Sequence, residues 1–165
     1  METGTLVLGL GNPILTDDGV GVKVAQAVRA ALPPNSAVEV SEAGVGGLAL
    51  MERLLGYRRV ILIDALHTGD GVPGAIHRLL LADLRRISPT QHSASAHDTT
   101  LVTALDMAAR MELPLPEEVV IFGVTVENVT DFSDQPTSAV ARAIPQVTAQ
   151  VLAELAEWQS SKVAR

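Results

Sequence analysis

The chain has 165 residues, 47% of them hydrophobic and only 2% aromatic. That length and apolar share exclude general disorder and suffice for one domain with a core of Val, Leu, Ile and Ala, the palette of buried parallel strands under helices. A net charge of −7 sets the chain against phosphate backbones and so against nucleic-acid partners, and the absence of cysteine removes disulfides, thiolate nucleophiles and Cys-based zinc sites.

Met1 to Gly4 has no basic region, and the apolar run behind it is too short for a signal sequence. No stretch approaches the roughly 20 apolar residues of a membrane span, so no membrane partner is expected and the expected location is cytoplasmic. Thr5 to Leu10 reads as a buried strand ended by Gly11-Asn12-Pro13. A helical pattern starts at Gly19, with Val20, Val24, Ala27, Val28 and Ala31 on one face, and stops at Pro33-Pro34. Ala37 to Ser41 alternates like a short strand before a turn at Gly44, Gly46 and Gly47. A second helix follows, with Leu48, Met51, Leu54 and Leu55 inward, ending near Gly56.

Val60 to Ile63 is apolar and largely β-branched, the best candidate for a central strand. Gly74 to Leu80 reads as another strand, open to antiparallel pairing, after the turn Gly69 to Gly74. Ser88 to Ser95 reads as polar loop. A helix from about Ala96 to Glu112, with Leu101, Leu105, Ala108 and Met111 inward, is broken by Pro114 and Pro116. Glu118 to Val124 is a last buried strand, and Pro136 to about Gln159 is helical with a bend expected at Pro145. No repeat or linker divides the chain. The expectation is a single three-layer α/β domain over residues 1–165, a mostly parallel twisted sheet of about five strands with helices on both faces. Nothing in the sequence demands more than a monomer.

Ligands in open α/β sheets bind outside the carboxyl ends of the strands, where the strand order reverses. If the second and third strands flank the first, the crevice lies between strands one and three. The polar residues there are Asn12, Thr16, Asp17 and Asp18 after the first strand and Asp64 directly after Val60 to Ile63. A carboxylate at Asp64 needs a cation, a metal or several donors, or else it serves a turn or an Arg pair. One of the residues before the first helix is expected to cap it, either Asp17 or Thr16, which leaves Asp18 for the site. His67 and His77 read as structural, and His92 falls in the polar loop. His97 lies in the first turn of a helix with Ser95 as a plausible cap, where the helix dipole disfavours imidazolium and keeps the ring able to ligate. Asp18, Asp64 and His97 thus form a candidate catalytic and metal-binding set. Two carboxylates and an imidazole suit a zinc- or nickel-type divalent ion with open positions, one able to polarise a carbonyl and activate water for amide hydrolysis.

Gly9-Leu10-Gly11-Asn12-Pro13-Ile14-Leu15-Thr16-Asp17-Asp18-Gly19-Val20-Gly21 resembles the opening of the [NiFe]-hydrogenase maturation endopeptidases. Ile63-Asp64-Ala65 matches that family's second Asp at a strand end, and Ser95-Ala96-His97 matches its His at a helix start. The resemblance implies an α/β protease that removes a C-terminal extension from the nickel-loaded precursor of the hydrogenase large subunit. It also implies that Asp18, Asp64 and His97 meet the metal, and that nickel arrives with the substrate rather than as a resident cofactor. Ala43-Gly44-Val45 departs from the family's Gly-Gly-Thr turn, and Asp98 from its usual non-acidic residue after the site His. Gly9 to Pro13 is also similar to the start of peptidyl-tRNA hydrolases, but Thr16-Asp17-Asp18-Gly19 stands where those have Thr-Arg-His-Asn. A flavodoxin-like or dinucleotide-binding module is the non-catalytic alternative. It lacks the third glycine of the fingerprint and sets two acids where a phosphate would bind.

Overall fold

A computed structural model describes residues 4–86 and 96–163, with the side chains at 85, 86, 96–100, 162 and 163 outside that description. The polar loop expected at Ser88 to Ser95, with His92 and the cap assigned to Ser95, falls outside the described residues, as do the His97 and Asp98 side chains.

In chain order the elements are β1 (Thr5–Leu10), a 3-10 turn (Thr16–Gly19), α1 (Val20–Ala31), β2 (Val38–Ala43), α2 (Gly47–Leu54) and β3 (Arg59–Leu66). They continue with β4 (Ile76–Leu80), α3 (Leu81–Arg86), α4 (Ala96–Arg110), β5 (Glu118–Thr125) and α5 (Ser138–Val163). The strands form one sheet in the order β2-β1-β3-β5-β4. All neighbours run parallel except β4, which is antiparallel to β5. The link from β3 to β4 is too short for a parallel crossover, which takes about a dozen residues, so the chain returns in the opposite direction. β1 lies between β2 and β3, so the strand order reverses at β1, as the crevice argument required.

Residues of the central strands alternate between two apolar layers, as a period of two dictates. Val7, Ile61, Ile63, Val120 and Phe122 pack with Val24 and Val28 of α1 and Val147 and Val151 of α5. Leu6, Leu8, Leu62 and Ile121 pack with Leu50 and Leu54 of α2 and Leu101 and Leu105 of α4. Five strands, mostly parallel, between two helical layers are the architecture the alternating pattern predicted.

Several boundaries and faces differ from the sequence reading. α1 starts at Val20 after the 3-10 turn; Ala27 is only half-buried and Ala31 exposed, while Val22 and Ala25 are buried because α1 is covered by both the sheet and α5. Leu48 in the first turn of α2 is 54% exposed, and Leu50 takes its place inside. Met111 lies past the end of α4 and is 63% exposed, whereas Ala104 completes the buried stripe. β2 extends to Ala43 because it pairs with β1 along its whole length. The short helix α3 was not expected. α5 begins at Ser138 and carries Pro145 within it. Arg78 on β4 ties that edge to α5, its guanidinium making two 2.8 Å bonds to the buried Glu154 carboxylate, which raises the Arg78 pKa further.

Candidate functional site

The turn leaving β1 rests on two backbone conformations. Gly11 has φ +127°, and a Cβ there would collide with the Asp18 carbonyl oxygen, so glycine alone fits. Thr16 sits at φ +50° in the left-handed region. Its N–H donates to the Ser133 carbonyl at 3.0 Å and its hydroxyl to the Asp131 carbonyl, which over-determines the conformation from the β5–α5 loop. Half-buried Asp18 follows in the 3-10 turn, where its Oδ2 accepts the Asn12 N–H at 2.7 Å. Asn12 Oδ1 in turn accepts the Ile14 N–H at 3.2 Å, so one carboxylate and one amide fix the turn together. Glycines bring α1 onto the strands: a Cβ on Gly21 would strike the Leu10 and Ile63 carbonyl oxygens, and one on Gly9 the Gly21 carbonyl.

Asp64 is not the residue after the strand; it is the sixth residue of β3, which continues to Leu66. The reason is the neighbouring β5, which pairs with β3 as far as Leu66↔Thr125 and holds Asp64 opposite Gly123. On the other side β1 and β3 pair only as far as Gly9↔Ile63, so Asp64 stands at the point where β1 turns away. It is 1% exposed, and its Oδ1 accepts the Ala65 N–H at 2.8 Å. Alternation along β3 puts it on the side of Leu62, the face covered by α2 and α4.

Asp17 has a different role from the helix cap that adjacency suggested. Neither the 3-10 turn nor α1 has a side-chain cap. The Asp17 carboxylate is fully buried and reaches across to the loop between β5 and α5. Its Oδ2 accepts the N–H groups of Glu127 (3.2 Å) and Asn128 (3.1 Å) and the Thr137 hydroxyl (3.0 Å), and its Oδ1 accepts the Thr137 N–H (2.7 Å). Its own N–H donates to the Asn128 carbonyl at 2.9 Å. With four donors bound, this carboxylate is a structural latch and is unsuited to act as a base on substrate.

His97 is the second residue of α4. That helix leads through a short turn into the amino end of β5, so it runs against the strand direction and its first turn lies toward the carboxyl end of the sheet. Connectivity therefore brings the turn with Asp18, the crevice residue Asp64 and the start of α4 to the same end, the latter two on the same face. Among the described residues, no group of three His, Asp or Glu side chains is arranged around a metal position. His67 and His77 are exposed, and His77 Nε2 lies 3.1 Å from the hydroxyl of Thr125 on β5. A surface cavity of about 200 Å³, lined by Arg29, Leu32, Pro33, Val38 and Val40 among others, opens at the far end of α1 and holds none of these groups. No helix among the described residues is long and apolar enough to cross a membrane.

Residues 22–154 match the family model described as hydrogenase maturation protease. The chain is 28% identical over 152 residues to the hydrogenase 2 maturation protease of Escherichia coli K12, covering 92% of this chain and 90% of that protein. It is 26% identical over 160 residues to the hydrogenase expression/formation protein HupD of Rhizobium leguminosarum, covering 97% of this chain and 78% of that one. Its fold superposes on the hydrogenase maturating endopeptidase HybD of Escherichia coli with a TM-score of 0.74 at 28% identity, covering 93% of both chains. The [NiFe] hydrogenase maturation protease HybD of Thermococcus kodakarensis shares the fold, with a TM-score of 0.70 at 22% identity over 92% of this chain and 98% of that one.

Proposed function

The chain belongs to the hydrogenase maturation protease family and is a peptidase, and we propose that it removes the C-terminal extension of a nickel-loaded [NiFe]-hydrogenase large-subunit precursor, using Asp18, Asp64 and His97. The observation that carries the reading is a buried carboxylate, Asp64, at the point where β1 leaves β3, beside the turn that holds Asp18. A polar side chain at the carboxyl end of the strands, next to the reversal of strand order, stands where ligands of open α/β sheets bind.

Nickel enters here as part of the substrate, held by the precursor's own ligands. The donor chemistry fits a borderline divalent ion: two carboxylates and an imidazole, with no thiolate in the chain to compete. The ion would polarise the scissile carbonyl. Backbone N–H groups hold both carboxylates, Asn12 N–H on Asp18 Oδ2 and Ala65 N–H on Asp64 Oδ1, which fixes their orientation before substrate arrives. Hydrolysis adds water to the carbonyl carbon, breaks the C–N bond and passes a proton to the departing amine. Asp17 is unavailable to take the water's proton because its carboxylate is filled by four donors.

The purified protein mixed with nickel-loaded and nickel-free precursor tests this directly. Shortening of the loaded precursor alone, lost in Asp18→Asn, Asp64→Asn and His97→Ala, is expected. Equal cleavage of the nickel-free precursor, or full activity in the three variants, would overturn the metal role or the residue assignment.

A further inference from the structure

Resting on the reading just given, we propose that Ile14 and Phe132 form a preformed docking ridge for the precursor, one that takes an apolar segment flanked by basic residues. Phe132 is one of only two phenylalanines in the chain and is 83% exposed; Ile14 is 54% exposed. Leu15 and Ser133 form a parallel bridge, with Ser133 N–H donating to the Ile14 carbonyl and Thr16 N–H to the Ser133 carbonyl, both at 3.0 Å. Ile14 and Phe132 immediately precede the two bridged residues, so the two exposed side chains rise from neighbouring backbone.

The loop that displays Phe132 is tied down on all sides. Asn128 Oδ1 accepts the N–H groups of Thr130 (3.2 Å) and Asp131 (3.1 Å), and its amide donates to Asp131 Oδ2 at 2.9 Å. Thr16 holds the Asp131 carbonyl, and Asp17 binds the loop at Glu127, Asn128 and Thr137. The backbone that carries Phe132 is thus ordered before a partner arrives, so little loop ordering is left to oppose binding. Ile14 shares its turn with Asp18, so the ridge is continuous with the candidate site.

Charge selects the occupant. Apart from the buried Asp17, the loops at the carboxyl end of the sheet, 11–19, 44–46, 67–75 and 126–137, present Asp18, Asp70, Glu127, Asp131 and Asp134 and contain neither lysine nor arginine. A second copy of the chain would set this acidic end against its like. A partner with basic residues around an apolar segment is complementary in both respects.

The test is the Kd of immobilised nickel-loaded precursor for the full chain, with cleavage followed in the same samples. Phe132→Ala is expected to raise Kd about tenfold, and Asp134→Lys to raise it and flatten its salt dependence. Met111→Ala, at another exposed apolar residue near the opposite end of the sheet, is expected to stay within about twofold of the parent. A Kd indifferent to Phe132→Ala, a parent chain that does not bind the precursor, or self-association removed by Phe132→Ala overturns the ridge. Cleavage together with an indifferent Kd leaves the protease reading standing. A precursor that binds with the expected dependence and is never shortened overturns the protease reading and leaves the ridge.

Discussion

Asp17 is itself fully buried and accepts four hydrogen bonds, so Asp17→Ala strands part-buried donors on a loop more than a hundred positions away. The expected cost is about 3 kcal/mol or more, read as a lower urea midpoint from the fluorescence of Trp158, the only tryptophan. Asp18→Asn keeps an acceptor for the Asn12 N–H, and its midpoint is expected to move by less than about 1 kcal/mol while cleavage is lost. Two adjacent acids thus separate by readout, one in stability and one in turnover. At the other end of the sheet, the Tyr57 hydroxyl donates to Glu39 Oε2 at 2.6 Å. That bond, with burial and the carboxylate's charge adding to it, raises the phenol from 10.0 to about 12. The folded state therefore favours the protonated phenol. Its contribution is complete below pH 10 and is lost as pH rises through about 12. As Tyr57 is the only tyrosine, its phenolate absorbance titrates one group; Glu39→Ala is expected to return the midpoint toward 10.0.

At the scale of elements, the contact of α1 with β1 and β3 decides the geometry of the turn before it. A Cβ at Gly21 has to displace α1 from the Leu10 and Ile63 carbonyls, because rigid backbone stands in the way. Gly21→Ala is expected to cost about 2 kcal/mol and to lower turnover by shifting the turn that holds Asp18. Gly69→Ala, with nothing within 4 Å of the added carbon, is the control, and calorimetry together with precursor cleavage checks both. The strand and helix periods made most elements legible: the apolar run at Val60 to Ile63 and the stripe of Leu101, Leu105 and Ala108 lie in the core as their spacing predicted. Element ends were less legible, because pairing with a neighbour sets them. β3 runs on past Asp64 since β5 accompanies it to Leu66.

The whole molecule shares one sheet between two apolar layers, so neither layer can open without exposing the back of the other. Residues 1–165 are accordingly proposed to unfold as one cooperative unit. Trp158 fluorescence and far-ultraviolet circular dichroism are expected to give coincident urea transitions; separated midpoints would argue for independent parts. The sequence by itself determined the class of fold and its run of strands and helices, because hydrophobic period and the Gly-rich strand-to-helix turn are local properties; the reversal of strand order at β1 was a condition of the crevice argument that the sheet order met. It also singled out Asp64, since an acid against four apolar residues is conspicuous in one dimension. Only the tertiary structure decided that Asp17 latches the β5–α5 loop instead of capping a helix, and that Leu15 bridges to Ser133, bringing the backbone at Ile14 and Phe132 together. Those partners lie 110 to 120 positions apart. Hydrogen bonds over such distances follow from how the chain packs, and no local spacing encodes them.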